Sequence, residues 1–365
     1  MKLAIVAGEA SGDLHASEVV RELKALDPAL ETFGIGGDLL AAEGMRILHH
    51  AREMGIVGLF NVLRNYPMFR RIFDDTVQAI AAEKPDAVLL IDYPGFNLRL
   101  ARRCREMGLR VIYYISPQVW AWRRGRVKQI ARDVDRMIVI LPFEEDFYRE
   151  HGVPVTHAGH PLIDELAGVE RGDRPPGDPL RVALLPGSRR GEVAALLPPM
   201  LDAVALLQNC DAFVIQAPTI AAKELVAIMS ARGTFVCIVP HGGGQAIADA
   251  DVALSSSGTA TLECAVIGTP VVVMYRLTAI THWLAKRLVK LPHFGLINII
   301  AGRDVVPELI QHHVNGARIA AEVRRLAEPE EHARVRGALA EVKRKLGGPG
   351  ASRRAAEAIM AAVRA

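Results

Sequence analysis

Short runs of β-branched and aliphatic residues, each followed by a stretch of helical period, recur along this chain and constrain its fold more than any other feature. Runs of this kind are buried on both faces, which a parallel sheet covered by helices provides. In the first half they fall at residues 3–7, 87–91, 111–115 and 136–141, with helical segments such as 14–26 and 98–107 between them and Gly108 as a C-cap. Residues 168–179, rich in Gly, Pro and charge, break the pattern. It then restarts with strands at 181–185, 212–216, 234–239, 252–255 and 271–274, and helices at 192–207 and 258–267. The spacing predicts a domain over 1–167, a linker over 168–179, a second domain over 180–345 and a helical tail over 346–365. Two similar α/β units predict a cleft between them, with ligands bound outside the carboxyl ends of the strands.

Composition removes several classes of function. Half of the 365 residues are hydrophobic, yet no uninterrupted apolar run reaches the roughly 18 residues of a membrane span. The longest candidate, 265–275, is broken by Thr269 and Pro270. The chain is expected to rest on a bilayer at most. After Lys2 a short apolar run enters a Gly-containing loop where a secretory signal would continue, so a cytoplasmic location is expected. Cys104, Cys210, Cys237 and Cys264 lack CxxC or zinc spacing and read as reduced, buried thiols. A net charge of +3 and 5% aromatics do not describe a nucleic-acid binder.

Chemistry is expected in the loops after strands. The first strand runs into GEASGD (8–13), where Gly8 and Gly12 permit close backbone approach and a helix start faces the cleft. It is no GxGxxG fingerprint, and a glycine turn with Ser11 or Asp13 as N-cap is the plainer alternative. The second domain opens with LPGSRRGE (185–192): Gly187 and Ser188 make a turn, Arg189 and Arg190 add charge, and a helix follows, together a seat for a diphosphate. It lacks the ending of a Walker A loop; solvated surface arginines are the alternative. In SSSGTATLE (255–263), Ser256, Gly258 and Thr259 form a second anion seat, and Glu263 is either a ribose-binding carboxylate or a first-turn capping residue. Asp92 ends the run 87–91 and is either a general base facing the cleft or a helix-capping or turn aspartate ahead of the helix from Leu98.

Other patterns carry less. Asp249 and Asp251, like Asp133 and Asp135, match a DxD metal motif but precede strands, on the wrong side for the cleft. The glycine run after His241 has no GxSxG elbow beside it. His157 and His160 have metal spacing without a carboxylate cluster, so no metal is assigned. Residues 54–73 carry Ile56, Val57, Leu59, Phe60, Leu63, Phe69, Ile72 and Phe73 among Arg52, Arg64, Arg70 and Arg71. That pattern suits an anionic membrane surface or an acylated substrate, with core packing as the alternative. A second such stretch, 280–291, places Trp283 and four aliphatic residues on one helical face beside Lys286, Arg287 and Lys290.

Taken in order, GEASGD, IDYPGFN (91–97), YYISPQVWAWRRGR (113–126), LPFEEDFY (141–148), GHPLID (159–164), LPGSR (185–189), SSGTATLE (256–263) and INIIAGRDVVPELIQ (297–311) resemble the lipid-A-disaccharide synthase family along nearly the whole chain. The resemblance implies a GT-B fold, two Rossmann-like domains facing across a cleft, with the C-terminal helix returning to the first domain. It implies a peripheral enzyme at the cytoplasmic face of the inner membrane that needs no metal or other cofactor. The implied donor is UDP-2,3-diacylglucosamine, the acceptor 2,3-diacylglucosamine 1-phosphate, and the products a β-1,6-linked disaccharide and UDP. Asp92 matches the general base and Arg189 the arginine that stabilises the leaving diphosphate. Gly187, Ser188, Ser256, Gly258, Thr259, Glu263 and Asn298 match the donor side, and Ser11 and Gly12 the acceptor or pyrophosphate side. The 54–73 stretch matches the membrane-associating region. Many relatives have a second aspartate where this chain has Gly95. Oligomeric state is left open, a homodimer included. The competing readings are another GT-B enzyme, such as a peptidoglycan UDP-sugar transferase or a UDP-sugar 2-epimerase, and a non-catalytic nucleotide-sugar or acidic-lipid binding protein on the same fold.

Overall fold

The computed structural model describes residues 1–54, 66–121, 124–172, 175–177, 179–240, 243–276 and 293–364. They form two compact units, Met1–Pro161 with Gly347–Ala365, and Leu162–Leu346. The expected membrane residues Ile56, Val57, Leu59, Phe60 and Leu63, the stretch 280–291, and His241 with the glycine after it lie outside the described residues.

The first unit holds the strands β1 (Lys2–Ala7), β2 (Glu31–Gly36), β3 (Arg46–His50), β4 (Ala87–Ile91), β5 (Val111–Tyr114), β6 (Arg136–Val139) and β7 (Val155–His157). They pair in parallel in the order β3-β2-β1-β4-β5-β6-β7. Because side chains alternate along a strand, β1 and β4 feed two cores. Ala4, Val6, Val88 and Leu90 pack on one face with the helices Tyr66–Glu83 and Pro94–Glu106. Leu3, Ile5, Leu89 and Ile91 pack on the other with the helices Ala10–Leu26 and Ala351–Arg364.

The last of these helices returns to this unit by burying Ala355, Ala356 and Ile359. Polar contacts set its position: Ser352 Oγ donates to Glu18 Oε2 at 3.2 Å, Arg353 Nη1 to Glu22 Oε2 at 3.3 Å and Arg354 Nε to the Ala158 carbonyl at 2.8 Å.

The second unit holds β8 (Leu180–Leu185), β9 (Cys210–Ile215), β10 (Cys237–Val239), β11 (Val252–Ser256), β12 (Val271–Tyr275) and β13 (Glu308–Ile310), all parallel, in the order β10-β9-β8-β11-β12-β13. The chain enters this unit at Leu162, before the Gly/Pro-rich segment. Arg171 of that segment donates to the carbonyls of Ala248 (2.8 Å) and Ala250 and to Thr269 Oγ1 (3.2 Å). The buried Asp251 accepts from the N–H groups of Gly177 (3.1 Å) and Arg181 (2.9 Å). Arg171 and Gly177 are therefore fastened to the second unit. Asp135 likewise accepts from the Val111 N–H at 2.8 Å, so these aspartates of the DxD patterns hold strand starts.

The apolar stretch 54–73 is corrected where it is described. Ile72 is buried in the first core, and Phe69 and Phe73 pack against it, Phe73 meeting Phe96 edge-on at 5.4 Å. They serve the fold, because the helix 66–83 has one face on the sheet and needs them there. Among the described residues no helix is long and apolar enough to cross a membrane.

Ile359 sits wholly buried on the returning helix. Ile359→Ala is expected to cost about 2–5 kcal/mol by urea denaturation, the range for emptying a close-packed aliphatic site.

Candidate active-site loops

In each sheet the chain winds outward in both directions from a central pair, β1 with β4 and β8 with β11. The loops leaving such a pair diverge to opposite faces and leave an open crevice, where open α/β sheets bind ligands. Residues 8–13 and 92–97 follow β1 and β4; residues 186–192 and 257–263 follow β8 and β11. The topology thus brings the four sequence-derived loops to the switch points, two in each unit.

In the first unit, Asp92 and Tyr93 leave β4 with φ of +44° and +46°. Two successive non-glycine residues in the left-handed region cost on the order of 1–3 kcal/mol each and persist only where the surroundings impose them. Asn97, wholly buried, imposes this turn: its Nδ2 donates to the carbonyls of Ile91 (3.0 Å) and Asp92 (2.8 Å) and reaches that of Val6 at 3.5 Å. Tyr113 Oη also donates to the Asp92 carbonyl. Tyr93 then lies flat over Gly8, where a Cβ would sit 2.7 Å from the ring, and its hydroxyl donates to the Met54 carbonyl at 2.9 Å.

The consequence is electrostatic. Burial pushes the Asp92 carboxyl up to about 6, and the Glu9 carboxylate pushes in the same direction, against a hydrogen bond from the Tyr93 N–H. A carboxylate with its proton affinity near the working pH suits general-base work.

The helix after Asp92 begins at Pro94, with Tyr93 rather than Asp92 at its N-cap, so the capping alternative for Asp92 falls. The helix after β1 begins at Ala10, capped by no side chain, which puts exposed Ser11 and buried Gly12 in its first turn. Neither Ser11 nor Asp13 is its cap: Asp13 is buried and accepts from the N–H groups of Gly37 (2.6 Å), Leu39 (3.0 Å) and Leu40 (3.2 Å) of the neighbouring helix start. A Cβ at Gly12 would lie 3.6–3.8 Å from Ala7 and Ile91, ordinary contact distances, so the residue packs against the sheet with backbone alone. Gly95 has open space around it, and an aspartate there would fit.

In the second unit, Gly187 has φ +114°, and a Cβ there would lie 2.5 Å from Glu192 Oε2 and 3.2 Å from Ser256 Oγ. Loop 186–192 and the 256–258 turn therefore touch at a point only glycine permits. Arg189 caps the helix Arg190–Leu206, is largely exposed, and pairs with Glu192 Oε1 at 2.7 Å. An exposed ion pair is worth little, so this guanidinium can trade its carboxylate for an anionic ligand at small cost. Gly258 precedes the helix Thr259–Ile267, whose first turn is closed by Thr261 Oγ1 donating to the Gly258 carbonyl at 2.7 Å. Thr259 is exposed, Ser256 buried beside Gly187, and Glu263 half-buried one turn further on.

Asn298 requires a correction. It is wholly buried, its Nδ2 donates to the Val306 carbonyl (2.9 Å) and Glu308 Oε1 (2.8 Å), and its Oδ1 accepts from the N–H groups of Val305 (2.8 Å) and Val306 (3.0 Å). Every polar position of the amide is used internally, so it does not touch a ligand directly. Sequence reasoning missed Glu9, Asn97 and Glu192 as partners of the candidate groups. Their nearness in sequence to those groups was the available signal.

The fold defines a class: a two-domain α/β protein of the GT-B type. Solved structures agree on the fold. MurG of Acinetobacter baumannii superposes with a TM-score of 0.59 at 15% identity, over 99% of both chains. A UDP-GlcNAc 2-epimerase from Neisseria meningitidis gives 0.62 at 12%, over 99% of this chain and 100% of its own. Residues 3–363 match the family described as lipid-A-disaccharide synthetase. The lipid-A-disaccharide synthases of Myxococcus xanthus and Geobacter sulfurreducens are each 42% identical to this chain over 98% of it, and over 97% and 96% of their own lengths. The chain belongs to the lipid-A-disaccharide synthase family and is a glycosyltransferase of lipid A disaccharide formation.

If Asp92 is the base, its proton must be absent for turnover, so kcat/KM is expected to fall below about pH 6, where the carboxyl is protonated. Glu9→Gln removes one upward push and is expected to move that acidic limb to lower pH. An unmoved limb in the pH–rate profile would separate Glu9 from the base.

Proposed function

We propose that the enzyme transfers 2,3-diacylglucosamine from UDP-2,3-diacylglucosamine to the 6-hydroxyl of 2,3-diacylglucosamine 1-phosphate. The relatives' names and the motif resemblance support these substrates. The observation that carries the chemistry is Asp92, held in a left-handed turn at the β1/β4 switch point with its carboxyl raised to about 6.

In this reading Asp92 accepts the proton of the acceptor hydroxyl as its oxygen bonds to the anomeric carbon of the donor. The bond from that carbon to the diphosphate breaks on the opposite side, UDP leaves with the electron pair, and the β-1,6 linkage forms by inversion. Arg189 exchanges Glu192 for the diphosphate and stabilises the growing negative charge, a duty that other enzymes give to a metal. The backbone of Gly187 and Ser188 and the start of the helix at Thr259 seat the phosphates. Ser256 and Glu263 reach the nucleoside, and Ser11 and Gly12 lie to the acceptor side.

Acylated substrates partition into a bilayer, which supports work at a lipid surface on the cytoplasmic side. Arg70 and Arg71, largely exposed at the start of the helix 66–83 and loosely paired with Asp74 (3.8 Å) and Asp75 (3.7 Å), can turn their charge to anionic headgroups.

Asp92→Asn is expected to lower kcat by about 10²–10⁴, the range for losing a general base, with UDP still bound. The assay follows UDP release and disaccharide mass with both acylated substrates. Turnover by Asp92→Asn at the unmutated rate would refute the base, and UDP release from non-acylated sugars alone would refute the substrate class.

A further inference from the structure

Asn298 and Glu308 lie in a long motif, and their hydrogen bonds are internal ones that lead to an aromatic pair. Glu308 opens β13 and accepts from the N–H groups of Phe294 (2.9 Å) and Gly295 (3.0 Å). Asn298 Nδ2 donates to Glu308 Oε1, the oxygen that also accepts from Gly295, at 2.8 Å, and Asn298 is itself locked to the backbone of 305–306. Phe294, thus anchored, stacks on Tyr275 with ring centres 6.5 Å apart and planes at 26°.

Tyr275 is the last residue of β12. Its neighbour Met274 is in register with Ser256, and the Ser257 N–H donates to the Met274 carbonyl at 3.0 Å. Tyr275 therefore leaves the sheet at its carboxyl edge, next in the chain to the residue that pairs with Ser256. The Glu192 carboxylate raises its proton affinity and the Arg189 guanidinium lowers it, so the phenol feels the charges of the 187–192 loop. Burial is the largest influence and keeps the phenol protonated, a hydrogen-bond donor at any working pH.

We infer that Tyr275 is a donor-site residue whose hydroxyl donates a hydrogen bond to the leaving diphosphate beside Arg189, and that Asn298, Glu308 and Phe294 are positioning residues that hold its ring. This deepens the reading of the second unit as the UDP-sugar side and rests on it. Arg189 supplies charge but is long and exposed; a clamped phenol adds a fixed direction. Orientation of this kind is what an exposed arginine alone lacks.

The test uses the full chain, with UDP titrated by calorimetry and kinetics run at varied donor and acceptor. Tyr275→Phe keeps the ring and its stacking and loses only the hydroxyl. It is expected to weaken UDP binding about tenfold, the order expected for a hydrogen bond to a charged group, and to raise the donor KM with the acceptor KM unchanged. Glu308→Gln, which frees Phe294, is expected to raise the donor KM in the same direction while thermal unfolding stays close to that of the unmutated chain.

UDP binding by Tyr275→Phe within twofold of the unmutated value overturns the assignment, as does an effect confined to the acceptor KM. Arg189→Ala separates this from the parent reading. If it weakens UDP binding while Tyr275→Phe does not, only the tyrosine role falls. If neither does, the donor-side reading falls with it.

Discussion

In both sheets the crossovers on either side of the central strand pair run to opposite faces, which opens a crevice at the ends of β1 and β4 and of β8 and β11. Every candidate group depends on this divergence. Parallel pairing also aligns the carboxyl ends: Ala7 is in register with Ile91, and Ser255 with Leu185. The residues just beyond each pair are therefore neighbours although about 70–85 positions separate them in the chain. The helix dipoles and open N–H groups at these ends favour anions, which is what a diphosphate and a sugar phosphate need.

The two switch points use this opening differently. In the first unit the turn is rigid and strained, tied by Asn97 and Tyr113 on one side and by Tyr93 over Gly8 on the other. Rigidity suits a base whose proton affinity depends on burial. In the second unit the charged partner is exposed and weakly paired, which suits a group that must change partners when a ligand arrives.

A further buried network shapes the end of β5. Trp120 Nε1 donates to Glu144 Oε1 at 3.0 Å, and Ser116 shares a hydrogen bond with Tyr148 at 2.7 Å. Burial raises the Glu144 carboxyl to about 7, against the bonds it accepts. Beside it Ile115 takes φ +62°, an outlier for a β-branched residue.

The alternation of buried strands and helices was legible in the sequence because burial on both faces leaves a continuous apolar run: β4 at 87–91 needed no neighbour to be recognised. Strands without that run were not legible. β2 carries two glycines in six residues, β3 is a half-buried edge with two histidines, and β7 and β13 have three residues each; pairing, not composition, makes them strands. The places of Asp92 and Arg189 after strands were readable, and the resemblance added the roles proposed for them. The sequence by itself determined the class of fold, the four loops and the family, since periodicity and motif order are local properties. The tertiary structure decided what each group touches. Asn298 is internal, Ile72 belongs to the core, Asp13 holds a different helix, and Asp92 gains its raised proton affinity from burial. Burial, register and hydrogen-bond satisfaction join residues far apart in the chain, and no local pattern records them.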